Sequence, residues 1–206
     1  MISHRKNPII VIDNYDSFTY NLINQIRTIL PAAIPIEVYR NDAITVDSLF
    51  SRTPRALILS PGPGDEQAGG ISLACLSRAA PLQLPVLGVC LGHQLIAAWC
   101  GATITRSARP IHGKSWQLFH TEDPLFLGMS NPLIAARYHS LVVDPATLPA
   151  TLHQIAWTAE GEIMALRHQE LPWYGVQFHP ESFLSEKGEL VVRNFFSLTL
   201  EAENGS

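Results

Sequence analysis

Two stretches of this 206-residue sequence hold residue types suited to covalent chemistry: Gly88-Val89-Cys90-Leu91-Gly92-His93-Gln94 and Val176-Gln177-Phe178-His179-Pro180-Glu181. In the first, a thiol has glycine two positions to either side, where an apolar run meets a helix-compatible one. That is the pattern of a nucleophile elbow with sulfur in place of oxygen: a strand turns sharply into a helix, and missing Cβ atoms let the two approach. A helix starting at Leu91 would aim unpaired N–H groups and the positive end of its dipole at the sulfur, which favours the thiolate. The plain alternative is a small buried hydrophobe, the usual fate of a free cysteine. Cys75, inside a helical pattern, and Cys100, between Trp99 and Gly101, fit that alternative.

A thiol that attacks a carbonyl carbon needs a histidine to move protons and a carboxylate to hold that histidine in one tautomer. His179 follows a buried strand, and Glu181 comes two residues later across Pro180. Proline biases the residue before it toward extended geometry, so His179 and Glu181 point to the same side and can hydrogen-bond. Alone, a histidine at a strand end is a polar cap; with the elbow it is a partner for Cys90. The turn Pro61-Gly62-Pro63-Gly64 also follows a buried strand, so backbone at Gly62 can approach a ligand closely, and the Leu91 amide is a second oxyanion donor. Gln94, one helical turn from Cys90, can donate and accept hydrogen bonds to a substrate, although an exposed helical glutamine is the commoner case. No metal is expected: His139, His179 and Glu181 lack an HExxH spacing. The PGPG turn lacks the GK[ST] continuation of a phosphate loop.

The elements that must position these residues follow from apolar patterning. Ile9–Ile12, Ile36–Tyr39, 56–60 and 84–89 read as strands. Helices are expected from about Phe18 to Leu30 with Ser17 as N-cap, from Thr45 to Phe50, from Ile71 to Ala79, and from Leu91 to Trp99 ending at Gly101. Such alternation with short joins predicts an α/β fold: a doubly wound, mostly parallel sheet with flanking helices and ligands beyond the carboxyl ends of its strands. After residue 101, short strand candidates at 102–105, 116–119, 133–138, 155–158 and 163–166 predict small antiparallel strands in the second half. Gly175–Phe178 reads as a further buried strand. A last helix over Glu189–Leu200 is expected to turn Leu190, Phe195 and Leu198 inward.

Composition narrows the function. With 47% hydrophobic residues the chain can bury a sizeable core, and one domain over 1–206 is expected, its core at about 8–200. Charged residues are 16% and the net charge is −4, so neither nucleic acid nor an anionic membrane is an expected partner. No apolar run approaches a spanning length and no signal-peptide pattern opens the chain, so a cytoplasmic location is expected. Three cysteines without a CxxC pair argue against a disulfide framework and a cysteine zinc site.

The motifs together resemble the class I glutamine amidotransferases, and within them the glutaminase subunits of aminodeoxychorismate and anthranilate synthases. The resemblance covers about residues 8–200. It rests on IDNYDSFTYNL in the first strand and helix, RND at 40–42, LSPGPG at 59–64, PVLGVCLGHQ at 85–94, HGK at 112–114, RYHSLVV at 137–143, EIMALRH at 162–168 and GVQFHPES at 175–182. It implies the flavodoxin-like fold of that family, with Cys90, His179 and Glu181 as the catalytic triad. It also implies L-glutamine as substrate, contacted by Gly62, Pro63, Gly64, Gln94 and, mainly through backbone, Ser140 and Leu141. A chorismate-binding synthase subunit is the implied partner, forming a heterodimer or larger assembly, with the loops at 13–18 and 112–114 facing it. No cofactor is implied in this subunit, and Mg2+ is implied for the partner.

Two segments depart from the family pattern. Asp65-Glu66-Gln67-Ala68-Gly69-Gly70 replaces a Thr-Pro or Ser-Pro start after PGPG, which predicts a looser loop, and Trp116 follows Ser115 where Thr-Ser is usual after HGK. Residues 40–42, 162–168 and 179–188 lean toward the aminodeoxychorismate (folate) subunit. The tryptophan-pathway subunit, or one shared by both pathways, stays open, as do a free-standing hydrolase of γ-glutamyl compounds and a scaffolding subunit with an inactive site.

Overall fold

The computed structural model describes residues 7–107 and 113–200. The apolar runs of the first half become strands, each followed by a helix or turn; three are buried on both faces, and the edge strand at 36–40 is partly exposed. They are β1 (Ile9–Asp13), α1 (Thr19–Ile29), β2 (Ile36–Arg40), α2 (Val46–Phe50), β3 (Ala56–Leu59), α3 (Ser72–Ala79), β4 (Val86–Val89) and α4 (Leu91–Trp99). The second half supplies β5 (Ile104–Arg106), β6 (Lys114–His120), β7 (Leu133–Arg137), β8 (Leu141–Val143), β9 (Leu152–Trp157), β10 (Ile163–His168), β11 (Trp173–Val176) and α5 (Glu189–Leu200).

One sheet runs in the order β2-β1-β3-β4-β11-β10-β9-β6-β7. The stretch from β2 to β11 is parallel, and the remaining strands extend the same sheet antiparallel. β5 and β8 form a separate antiparallel pair. The expected parallel core is present, and most of the small antiparallel strands lengthen it rather than forming a layer of their own. Alternation along β1 divides the core. Ile9 and Val11 pack with Leu22 of α1 and Val191 and Phe195 of α5, while Ile10 and Ile12 pack with Cys75 of α3 and Leu91 and Leu95 of α4. Among the described residues, no helix is long and apolar enough to cross a membrane.

Three local expectations are corrected. Ser17 does not cap α1: the residue before the helix is Phe18, without a side-chain cap. The Asp16 carboxylate accepts from the Phe18 N–H at 2.7 Å instead, so the turn is satisfied one residue earlier. On α5 Phe195 is buried as expected, but Leu190 is half-buried and Leu198 exposed; Val191, Val192, Phe196 and Thr199 fill the inward face instead. Asn194 is buried with them, its Nδ2 donating to the carbonyls of Leu125 and Leu127. β11 starts at Trp173, earlier than expected, since Trp173 and Tyr174 pair with Val86 and Leu87 and the Trp173 indole donates to Leu84 O at 2.9 Å. The segment after PGPG holds a 3-10 turn over Glu66–Gly69. Asn41 Nδ2 donates to Ala68 O within it at 2.8 Å.

Candidate active site

β4 passes into α4 through Cys90 alone. Its backbone sits at φ 53° and ψ −101°, a conformation that L residues rarely adopt and that marks functional strain. Close packing enforces it. A Cβ on Gly88 would lie 2.3 Å from Gly92 O, and one on Gly92 would lie 2.3 Å from Leu59 O, so strand and helix can meet only with glycine on either side. The Cys90 N–H donates to Val176 O at 2.8 Å, which ties the elbow to the end of β11, the strand that leads into His179. Leu91 is the first residue of α4, and N–H groups of a first helical turn have no acceptor inside the helix. Gly62 lies against it: a Cβ there would be 2.6 Å from Leu91 Cδ2 and from Asn14 O. The two residues expected to supply the oxyanion donors therefore pack against each other.

His179 and Glu181 meet as their spacing predicts. His179 Nδ1 is 2.7 Å from Glu181 Oε1, and both side chains are buried. Ser185 Oγ donates to His179 O at 2.6 Å, and the His179 N–H donates to Ala136 O at 3.1 Å, so the backbone of the base is held on two sides. Nε2 of His179 is buried and has no hydrogen-bond partner among the described residues, and Cys90 is the other group, beside Glu181, whose interaction raises this imidazole. Burial pushes this imidazole down, but hydrogen bonding to Cys90 and Glu181 outweighs burial and holds it well above the usual histidine range. A charged imidazolium is the state those interactions favour. The rings of Phe18 and Tyr138 flank the imidazole, with centroids 5.4 and 5.1 Å away.

The expected substrate contacts fall into two groups. Gln94 is buried, and its Nε2 donates to Leu141 O at 3.0 Å and to Gln177 Oε1 at 3.0 Å. Gln94 and Leu141 are thus joined next to the nucleophile. Ser140 is exposed, and its carbonyl accepts from the Ser107 N–H at 2.8 Å. Pro63 and Gly64 are exposed on the PGPG turn, with Gly64 at φ 88°. Of the HGK segment, His112 lies outside the described residues. Gly113 lies under Tyr138, 3.3 Å from its ring if a Cβ were added.

Sequence reasoning missed a buried polar layer beneath this site. His139 donates from Nδ1 to Leu141 O at 3.0 Å, and its Nε2 accepts from Arg137 Nε at 3.2 Å. Arg137 is buried, paired with Glu162 and stacked over Trp116 at 5.6 Å. The unusual Trp116 thus packs on an arginine that supports the Leu141 carbonyl through His139. A histidine flanked by an arginine and two residues from a family motif was the available signal.

His93, under the elbow, is fully buried, and neither ring nitrogen has a partner among the described residues. Burial pushes its imidazole down to about 4. For His139, burial first and the Arg137 charge second push it down to about 3. Both therefore stay neutral in the fold at pH values where the unfolded chain, titrating near the ordinary value, takes up protons. Stability is expected to fall as pH drops from about 6.5 toward 4, by on the order of 3 kcal/mol per histidine. Urea unfolding at about pH 7 and about pH 5 measures this, and equal midpoints would contradict it.

The description "Glutamine amidotransferase class-I" belongs to the family model that matches residues 10–198. The chain is 46% identical over 187 residues to the aminodeoxychorismate/anthranilate synthase component 2 of Bacillus subtilis, covering 91% of this chain and 94% of that one. It is 45% identical over 190 residues to the bifunctional protein TrpGD of Thermotoga maritima, covering 92% of this chain but 32% of that one. Among solved structures, a Thermoplasma acidophilum protein assigned to GMP synthase superposes with a TM-score of 0.82 at 23% identity, over 96% of both chains, a likeness of fold.

Proposed function

This chain belongs to the class I glutamine amidotransferase family, and on that premise we propose that it is a glutaminase subunit supplying ammonia to a chorismate-using synthase. The observation that supports the proposal is the placing of Cys90, the hydrogen-bonded His179–Glu181 pair and the packed residues Gly62 and Leu91 at the carboxyl ends of β3, β4 and β11.

The chemistry follows from that arrangement. The Cys90 thiolate attacks the side-chain carboxamide carbon of L-glutamine, and the charge that develops on oxygen is met by the Gly62 and Leu91 amides. His179, charged at the start, gives its proton to the departing ammonia and leaves a γ-glutamyl thioester on Cys90. The neutral imidazole then takes a proton from water, which attacks the thioester and releases glutamate, returning the electron pair to sulfur. Glu181 keeps Nδ1 protonated throughout, so that Nε2 is the working nitrogen. Gln94, Leu141, Ser140 and the Gly62-Pro63-Gly64 turn hold the substrate. Ammonia passes to the partner, which is the component that uses Mg2+.

The favoured product is 4-amino-4-deoxychorismate, because residues 40–42, 162–168 and 179–188 lean toward that subunit. Anthranilate is the second reading, favoured by the same motifs being shared between the two pathways. Mixing the protein with each candidate synthase, chorismate and glutamine, and identifying the product by chromatography, tests the proposal. Glutamine-dependent aminodeoxychorismate is the expected result. Anthranilate alone moves the assignment to tryptophan synthesis, and no glutamine-dependent product with either synthase removes the proposal.

A further inference from the structure

Gln177 stands within the stretch that supplies the base, yet the steps above give its side chain nothing to do. Its N–H donates to Met164 O at 2.8 Å, which fixes it at the end of β11. The residue has no exposed surface. A buried carboxamide needs partners at both ends. Nε2 of Gln177 lies 3.7 Å from Cys90 Sγ, within reach of a hydrogen bond to sulfur, and Oε1 accepts from Gln94 Nε2 at 3.0 Å.

The orientation of both amides is forced by one atom. Gln94 Nε2 also donates to Leu141 O, a carbonyl that can only accept. Gln94 must therefore turn its nitrogen that way, Gln177 must present its oxygen to that nitrogen, and the Gln177 nitrogen is left facing sulfur.

We propose that Gln177 is a further catalytic residue, whose amide N–H donates to the Cys90 sulfur and favours its anionic form, and whose orientation is set by Gln94. The inference rests on the reading of Cys90 as the nucleophile. A hydrogen bond to an anion is stronger than one to its neutral acid, so the donor acts twice. Before attack it raises the share of thiolate. In thioester hydrolysis, when the C–S bond breaks and the electron pair returns to sulfur, it stabilises the leaving group. The residue that contacts substrate and the residue that contacts the nucleophile thus share one hydrogen-bonded unit.

The test uses the protein in complex with its synthase, without glutamine, and follows iodoacetamide alkylation of Cys90 by mass spectrometry of its peptide. Gln177→Leu is expected to alkylate about tenfold more slowly at neutral pH, with the deficit closing as pH rises. Gln177→Glu, nearly isosteric, sets a carboxylate beside the sulfur and is expected to slow alkylation about a hundredfold, again less at high pH. In both, kcat for glutamine hydrolysis is expected to fall with the alkylation rate while KM changes less than about threefold. A packing role alone would not displace the pH profile. Wild-type profiles in both variants overturn the inference, and so does a loss of rate equal at every pH. If the leucine variant does not fold, the glutamate variant decides alone. The parent reading fails separately, if Cys90→Ala in the same complex still hydrolyses glutamine.

Discussion

Replacing Cys90 with alanine is expected to lower glutamine hydrolysis by at least about 10⁴-fold while the chain still folds. In the proposed mechanism every other group around the site acts through that sulfur. The Gly62 and Leu91 amides stabilise charge only after an attack has begun, Glu181 orients an imidazole, and the imidazole has a proton to give only to a leaving group that something has displaced. Serine at the same position is expected to do little better. A hydroxyl stays neutral where a thiol becomes an anion, and interaction with that anion is part of what holds His179 well above the usual histidine range. The serine variant therefore loses a nucleophile and, with it, the charged proton donor. Glutamate release by the complex with its synthase, and trapping of the γ-glutamyl thioester on the Cys90 peptide, measure both effects. An alanine variant that releases glutamate at the wild-type rate would move the nucleophile elsewhere.

The second large effect is on stability. Gly92→Ala is expected to destabilise the fold by on the order of 3 kcal/mol or more. The added carbon would stand 2.3 Å from Leu59 O and 2.8 Å from Leu59 Cβ. Neither side can yield at low cost. Leu59 ends β3, which is paired on both edges with β1 and β4, and α4 is buried over most of its length. Relief would come only by lifting the start of α4, which would also carry the Leu91 amide away from Gly62. Gly101→Ala is the comparison: no atom lies within 4 Å of its added carbon, and only its φ of 98° opposes the change, so a cost of about 1 kcal/mol is expected. Urea unfolding of both variants checks the ranking, and a Gly92→Ala midpoint at or above that of Gly101→Ala would contradict it.

What could be read in advance was what short-range geometry dictates. Gly88, Cys90 and Gly92 announce a strand-to-helix elbow because the constraint spans five residues, and His179-Pro180-Glu181 announces a hydrogen bond because proline limits the backbone between its partners. The parallel core was legible in its apolar runs. Gln177 was not, although it sits two residues before His179. Its contacts reach 87 residues back to Cys90 and 83 back to Gln94, and they exist because β11 inserts beside β4, an order that periodicity does not encode. The layer of Arg137, His139 and Glu162 was hidden for the same reason. On α5 Phe195 was read correctly and Leu198 was not, since the buried face takes in Asn194, whose two carbonyl partners lie in a distant segment that periodicity does not show.

The two rings beside His179 carry one more consequence. Phe18 comes from the loop between β1 and α1, and Tyr138 from the segment that leaves β7 and lies over Gly113. Cys90, the proposed nucleophile, belongs to the sheet, with Gly88 and Gly92 packed against backbone on either side of it. The walls of its base belong instead to connecting segments at the rim. Rate and specificity in such a site have different custodians: the interior guards the sulfur, while whatever covers the rim decides how faithfully the imidazole is aligned with it.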